Sequence, residues 1–154
     1  MTKVLVIDDD SMVREPIVRL LILEGYQVIE AAYGQAGYAD AISEKPNIIL
    51  LDLNMPIKDG FQVLHKLKSN PETERIPVIV LTARIDAESE RRCMAAGATD
   101  YIKKPWGPAE LQERIAIIVG ARELDTSHER QSRTSWEIWS NLQDYLSLTR
   151  NGSS

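Results

Sequence analysis

The side chains able to do chemistry in this chain each follow an apolar run. Asp8 and Asp9, with Asp10 behind them, close Lys3-Val4-Leu5-Val6-Ile7. Asp52 closes Asn47-Ile48-Ile49-Leu50-Leu51, Thr82 follows Pro77-Val78-Ile79-Val80-Leu81, and Lys104 ends Asp100-Tyr101-Ile102-Lys103. Short apolar runs bounded by turn residues read as strands buried on both faces. In an open parallel α/β sheet, ligands bind at the C-terminal edge of such strands. Asp52 therefore sits at the mouth of a site and is the candidate oxygen nucleophile. Three carboxylates crowded at one edge repel one another, and Lys104 alone does not balance them. A hard divalent cation such as Mg²⁺ does, because it prefers carboxylate and carbonyl oxygens and keeps several waters. No His or Cys stands near enough in the pattern to suggest zinc.

These groups need a scaffold, and the chain alternates strand and helix to build one. A first helix is expected from Asp10 or Ser11 as cap to about Glu24, stopped by Gly25. Ile17, Leu20 and Leu21 would face the core, and Pro16 removes one backbone bond unless it lies in the first turn. Gln27–Ala31 reads as a strand and Gly34–Ser43 as a helix. Asn54 to Gly60 reads as a loop with Asp59-Gly60 as its turn, and Met55 and Pro56 shape the part that carries Asn54. Phe61, Leu64 and Leu67 mark a third helix that breaks near Asn70-Pro71. Ala87–Ala96 forms a fourth, closed by Gly97, and Pro108 to about Glu123 a fifth, with Leu111, Ile115, Ile118 and Val119 inward. Five strand-helix repeats predict an α/β fold, a doubly wound five-stranded parallel sheet with helices on both faces. The order 2-1-3-4-5 is the common solution for five strands.

Composition narrows the function classes. The chain has 154 residues, 44% of them hydrophobic, enough for one core and a tail. No apolar run is long enough for a bilayer, and the start lacks a signal peptide's apolar stretch, so a cytoplasmic protein without membrane contact is expected. A net charge of −5 argues against direct nucleic-acid binding. Cys93 is the only cysteine and reads as a small apolar helix residue. His65 reads as a surface residue, and His128 lies in a polar stretch.

Taken together, Asp8-Asp9, Asp52 in LLDLNMPIKDG, Thr82-Ala83 in VIVLTA and Lys104-Pro105 in DYIKKPW resemble the receiver domain of two-component response regulators. The resemblance covers residues 2–122 and leaves the last stretch unexplained. It implies that Asp52 takes a phosphoryl group from a histidine kinase or phosphotransfer protein. It implies that Asp9, Asp52 and the Asn54 carbonyl hold Mg²⁺ directly, with Asp8 acting through water. Lys104 would pair with the bound phosphoryl group, and the Thr82 hydroxyl would move toward it. Tyr101 matches the family's switch aromatic and would turn inward with Thr82, changing the surface that a downstream protein reads. Lys103 is expected in solvent, because strand alternation points it away from Lys104.

An enzyme is the competing class: a small phosphohydrolase working through an aspartyl-phosphate on a similar sheet. The haloacid-dehalogenase-like family needs a second acid two residues after the nucleophile. That place is Asn54, and an amide cannot shuttle protons, so the resemblance favours a signalling module over a turnover enzyme. In receivers, Asn54 and Arg84 would flank the hydrolytic water. Neither is a carboxylate, which predicts slower dephosphorylation than in an Arg84→Glu variant.

Domain organisation follows as 1–122 for the receiver and 123–154 for a linker, Asp125–Thr134, and a short amphipathic helix. Trp136, Trp139, Leu142 and Leu146 recur at nearly helical spacing behind Ser135, with Ile138 and Tyr145 close by. Such a stripe is expected to be covered by Val18 and Ile22 of the first helix, in its own chain or in a homodimer mate.

Overall fold

A computed structural model describes residues 1–55, 60–83 and 86–128, the last stretch without side chains from 122 onward. Arg84, the loop residues 56–59 and the Trp136–Leu146 stripe therefore lie outside the described residues. The elements alternate as expected: β1 (Lys3–Ile7), α1 (Ser11–Leu23), β2 (Gln27–Ala31), α2 (Gly34–Glu44), β3 (Ile48–Asp52), α3 (Gly60–Ser69), β4 (Val78–Thr82), α4 (Ala87–Ala95), β5 (Asp100–Lys103) and α5 (Pro108–His128). All strand pairs are parallel, in the order β2-β1-β3-β4-β5. The chain divides into two units, 1–108 and 109–154.

In the first unit the sheet is apolar on both sides, which is why β1, β3 and β4 are continuous apolar runs. Leu5, Ile7, Ile49, Leu51, Val78 and Val80 share a buried cluster with Ala41 of α2, Leu64 and Leu67 of α3 and Cys93 of α4. Their sequence neighbours Val4, Val6, Ile48, Leu50, Ile79 and Leu81 are equally buried and alternate to the other side, where α1 meets β1 and β2. A Leu→Ala change in β3 would cost about 2–5 kcal/mol.

Local signals explain the helix ends. Asp10 caps α1, its carboxylate accepting from the Met12 N–H at 2.9 Å. After α1, Gly25 takes φ 91°, its N–H reaches Ile22 O, and the Tyr26 N–H reaches Leu21 O. That double bond is a Schellman motif, and its left-handed residue favours glycine. Gly97 closes α4 in the same way, with φ 105° and Ala98 N–H on Cys93 O.

Pro16 lies inside α1, past the first turn, so one backbone bond is missing, and the helix continues through it to Leu23. The loss of one N–H is outweighed by the burial of Ile17, Val18 and Leu21. Two expectations need correction. Val18 does not lie on an outer surface with Ile22: it is 9% exposed and Ile22 57%. The apolar arc of α1 spans 17, 18 and 21, wider than a two-row stripe, so Val18 falls within it. Finally, α5 runs to His128, beyond residue 122 and into the stretch read as a linker. The polar residues end the apolar stripe but not the helix, since extending an existing helix needs no new nucleus. Within the second unit, Leu111, Ile115, Ile118 and Val119 are buried as expected, and buried Arg114 pairs with Glu110 at 3.1 Å. Among the described residues, no helix is long and apolar enough to cross a membrane.

Candidate functional site

Parallel pairing places the ends of β1, β3, β4 and β5 side by side, and those ends carry the expected groups. Carboxylate oxygens of Asp8, Asp9 and Asp52 all lie within 4.8 Å of one another. Asp8 and Asp52 are buried and Asp9 is exposed, so the cluster opens to solvent on the Asp9 side. Lys104 reaches in from the end of β5, its Nζ 3.4 Å from Asp52 Oδ1 and 3.7 Å from Asp8 Oδ2. Its position is set by its own backbone, because the Lys104 N–H donates to Thr82 O at 2.7 Å.

The two buried acids are oriented by backbone N–H groups. The Asp10 N–H donates to Asp8 Oδ1 at 3.0 Å, and the Asn54 N–H donates to Asp52 Oδ1 at 3.1 Å. The Asn54 side-chain amide donates to Thr82 Oγ1 at 3.4 Å. Thr82 is fully buried and is also hydrogen-bonded to the Tyr101 side chain. Tyr101 already faces inward, 4% exposed, and burial raises its hydroxyl's pKa, with nearby anionic groups adding to the rise. Lys103 and His65 are exposed and Cys93 is buried, each as expected.

The electrostatics reveal an imbalance. Burial, opposed by the Asp10 N–H and helped by repulsion from Asp52, raises the Asp8 carboxyl from 3.8 to about 6. Lys104 lowers it, but by less than the Asp52 repulsion raises it. Three acidic side chains facing one ammonium form a donor set of hard oxygens with excess negative charge. Asp8, Asp9 and Asp52 therefore fit a hard divalent cation, with Asn54 beside them.

Two contributors carry little sequence signal. Gly60 reads as a turn glycine, but its Cα faces the end of β3. A Cβ there would lie 2.5 Å from Asp52 O and 2.5 Å from Leu53 Cα, both backbone atoms. Gly60→Ala should displace Asp52, costing about 1–3 kcal/mol of stability. If Asp52 is the phosphoryl acceptor that the resemblance implies, uptake should slow at least tenfold, since a displacement of about 1 Å can cost about 100-fold. Urea unfolding and uptake kinetics check this; an alanine variant matching the parent in both would refute the close-approach account. The second contributor is Arg14, whose guanidinium donates to the Asp8 carbonyl at 2.6 Å.

Comparison with known proteins shows the family. Residues 4–116 match the family model described as the response regulator receiver domain. The chain is 35% identical over 116 residues to the phosphate regulon transcriptional regulatory protein PhoB of Pseudomonas aeruginosa, covering 75% of this chain and 51% of that protein. It is 35% identical over 127 residues to the KDP operon transcriptional regulatory protein KdpE of Escherichia coli, covering 82% and 55%. The chain thus spans about half the length of these curated relatives. Among solved structures, chemotaxis protein CheY4 of Vibrio cholerae matches with TM-score 0.73 at 30% identity, over 77% of this chain and 98% of that one. A receiver domain of a Pseudomonas aeruginosa sensor histidine kinase, with a magnesium ion coordinated in its active-site cleft, matches with TM-score 0.72 at 28% identity, over 77% and 98%. With the family model matching residues 4–116, most of this chain, and the acidic edge built on the same fold, the chain belongs to the response regulator receiver domains of two-component systems.

Proposed function

We propose that this chain is a phosphorylation-activated switch in which Asp52 accepts a phosphoryl group from a histidine kinase or phosphotransfer protein. The observation that carries the reading is the Asp52 carboxylate itself, held by the Asn54 N–H at the rim of an acidic cluster with Lys104 at 3.4 Å. An Asp52 oxygen attacks phosphorus, the bond from phosphorus to the donor's imidazole nitrogen breaks, and the imidazole leaves with that electron pair. Asp9, Asp52 and the Asn54 carbonyl would hold Mg²⁺ directly, with Asp8 acting through water, and the cation would offset charge on the phosphoryl oxygens. Lys104 pairs with the phosphoryl group once it has transferred.

Thr82 and Tyr101 carry the output. A phosphoryl oxygen on Asp52 competes with the Asn54 amide for the Thr82 hydroxyl, whose other neighbour is Tyr101. That competition couples a charge event to α4 and β5, the surface offered to a downstream protein. The output is a protein contact and not direct nucleic-acid binding, and the chain is not a turnover enzyme, because Asn54 supplies no general acid or base.

With Mg²⁺ and a small phosphodonor, the whole chain should gain one phosphoryl mass, and borohydride reduction should map the acyl phosphate to Asp52. Mapping to any other residue would overturn the reading. Thr82→Val should still take up the group yet lose the phosphorylation-dependent change in hydrogen exchange across α4 and β5. A full exchange change in that variant would remove Thr82 from the switch.

A further inference from the structure

The Asp8 N–H, its carbonyl and its Oδ1 are each held by groups outside the catalytic set. Its N–H donates to Ala31 O at 3.1 Å, and its Oδ1 accepts from the Asp10 N–H. Its carbonyl accepts from Arg14 Nη1 at 2.6 Å. Arg14 lies one turn inside α1, where a long side chain leans back toward the helix start. It is mostly buried, 15% exposed, and its Nε pairs with Glu30 Oε1 at 3.1 Å. Glu30 stands next to Ala31 on β2, in register with Val6 of β1. One guanidinium therefore ties α1, the end of β1 and the end of β2 together.

The Asp8 carbonyl and the Asp9 N–H belong to one planar peptide unit. Fixing the direction of that carbonyl fixes the direction in which the chain enters Asp9. We infer that Arg14, braced by Glu30, is a positioning residue for the cation site: it sets the Asp8-Asp9 peptide so that both carboxylates converge with Asp52. This inference rests on the proposed Mg²⁺ reading of the site. A cation placed beside a cation site would by itself weaken Mg²⁺ binding. Glu30 offsets that charge, so what remains is the fork geometry of the guanidinium, one arm on the carbonyl and one on the carboxylate. A lysine ammonium at the same place has a single nitrogen and a shorter reach, and does not bridge both.

The sign of the effect separates positioning from charge. If charge alone mattered, Arg14→Ala would tighten Mg²⁺ binding. Positioning requires it to weaken. Calorimetric titration of MgCl₂ into the whole chain gives the affinity, and thermal unfolding in chelator reports folding separately. We expect Arg14→Ala to bind Mg²⁺ about tenfold more weakly, as outer-shell partners of metal ligands typically do. Arg14→Lys should not recover the affinity. Glu30→Ala removes only the brace, from a side chain 45% exposed, and should weaken binding by about threefold in a normally folded protein. Should Arg14→Ala fail to fold, Arg14→Lys decides: it keeps the charge and loses the fork, so weaker binding supports positioning and parent-like binding overturns it. Parent-like or tighter binding in the folded variants overturns the inference while leaving the Mg²⁺ reading intact. A parent chain that binds no Mg²⁺ overturns both.

Discussion

Replacing Asp52 by asparagine should abolish phosphoryl uptake and at the same time make the metal-free protein more stable. The loss of uptake follows because an amide oxygen is too weak a nucleophile to attack phosphorus. The gain in stability follows from the site's charge. Asp52 is 5% exposed, and its carboxylate has oxygens within 4.8 Å of those of Asp8 and Asp9. Asparagine removes that charge and can still accept the Asn54 N–H with its side-chain oxygen. Lys104 keeps Asp8 as a partner. We expect the midpoint in chelator to rise by about 2–4 °C, equivalent to about 1 kcal/mol. A functional site commonly costs a fold stability in this way. Intact mass and thermal unfolding measure the two effects. Uptake equal to the parent would refute the assignment of Asp52, and a lower midpoint would refute the repulsion argument.

The second large effect is on pH dependence, and it should depend on magnesium. Burial and the neighbouring acids raise the Asp8 carboxyl from 3.8 to about 6. Between those values the folded protein holds a proton that the unfolded chain has released. The folded state is thus favoured at low pH, and this contribution is lost as pH rises through 6. The full loss is roughly 3 kcal/mol, of which about half falls between pH 5 and 7.5. In chelator, the midpoint should therefore drop by about 3–5 °C over that interval. A bound cation favours the ionised form, so millimolar Mg²⁺ should remove most of the drop and add stability above pH 6. Asp8→Asn should flatten the chelator profile by the same amount. If the variant is as steep as the parent, the slope belongs to other groups.

The scaffold and the address of the chemistry were legible in the order of residues alone. Four apolar runs that each end in a polar group specify buried parallel strands, and parallel strands with short helical crossovers leave little freedom in order. The ends of β1, β3, β4 and β5 then share one edge whatever the loops do. Asp8, Asp9, Asp52, Thr82 and Lys104 were legible for that reason: run length and period are local properties, and the handedness of the crossovers does the rest. The contacts that depend on side-chain direction across elements far apart in the chain emerge only once those elements are packed. Lys104 and Asp52 stand 52 positions apart, and their 3.4 Å separation depends on how β3 and β5 end on either side of β4. The brace from Arg14 needs α1, β1 and β2 to meet, and a lone arginine in an amphipathic helix carries no mark of it. Gly60 looks like any turn glycine until the backbone of Asp52 and Leu53 lies beneath its Cα. Val18 and Ile22 differ by one turn in sequence, and only the packed position of α1 shows that one is inside and the other is not. Pattern fixes which residues share an edge or a face; the packed geometry of distant segments determines which of them touch.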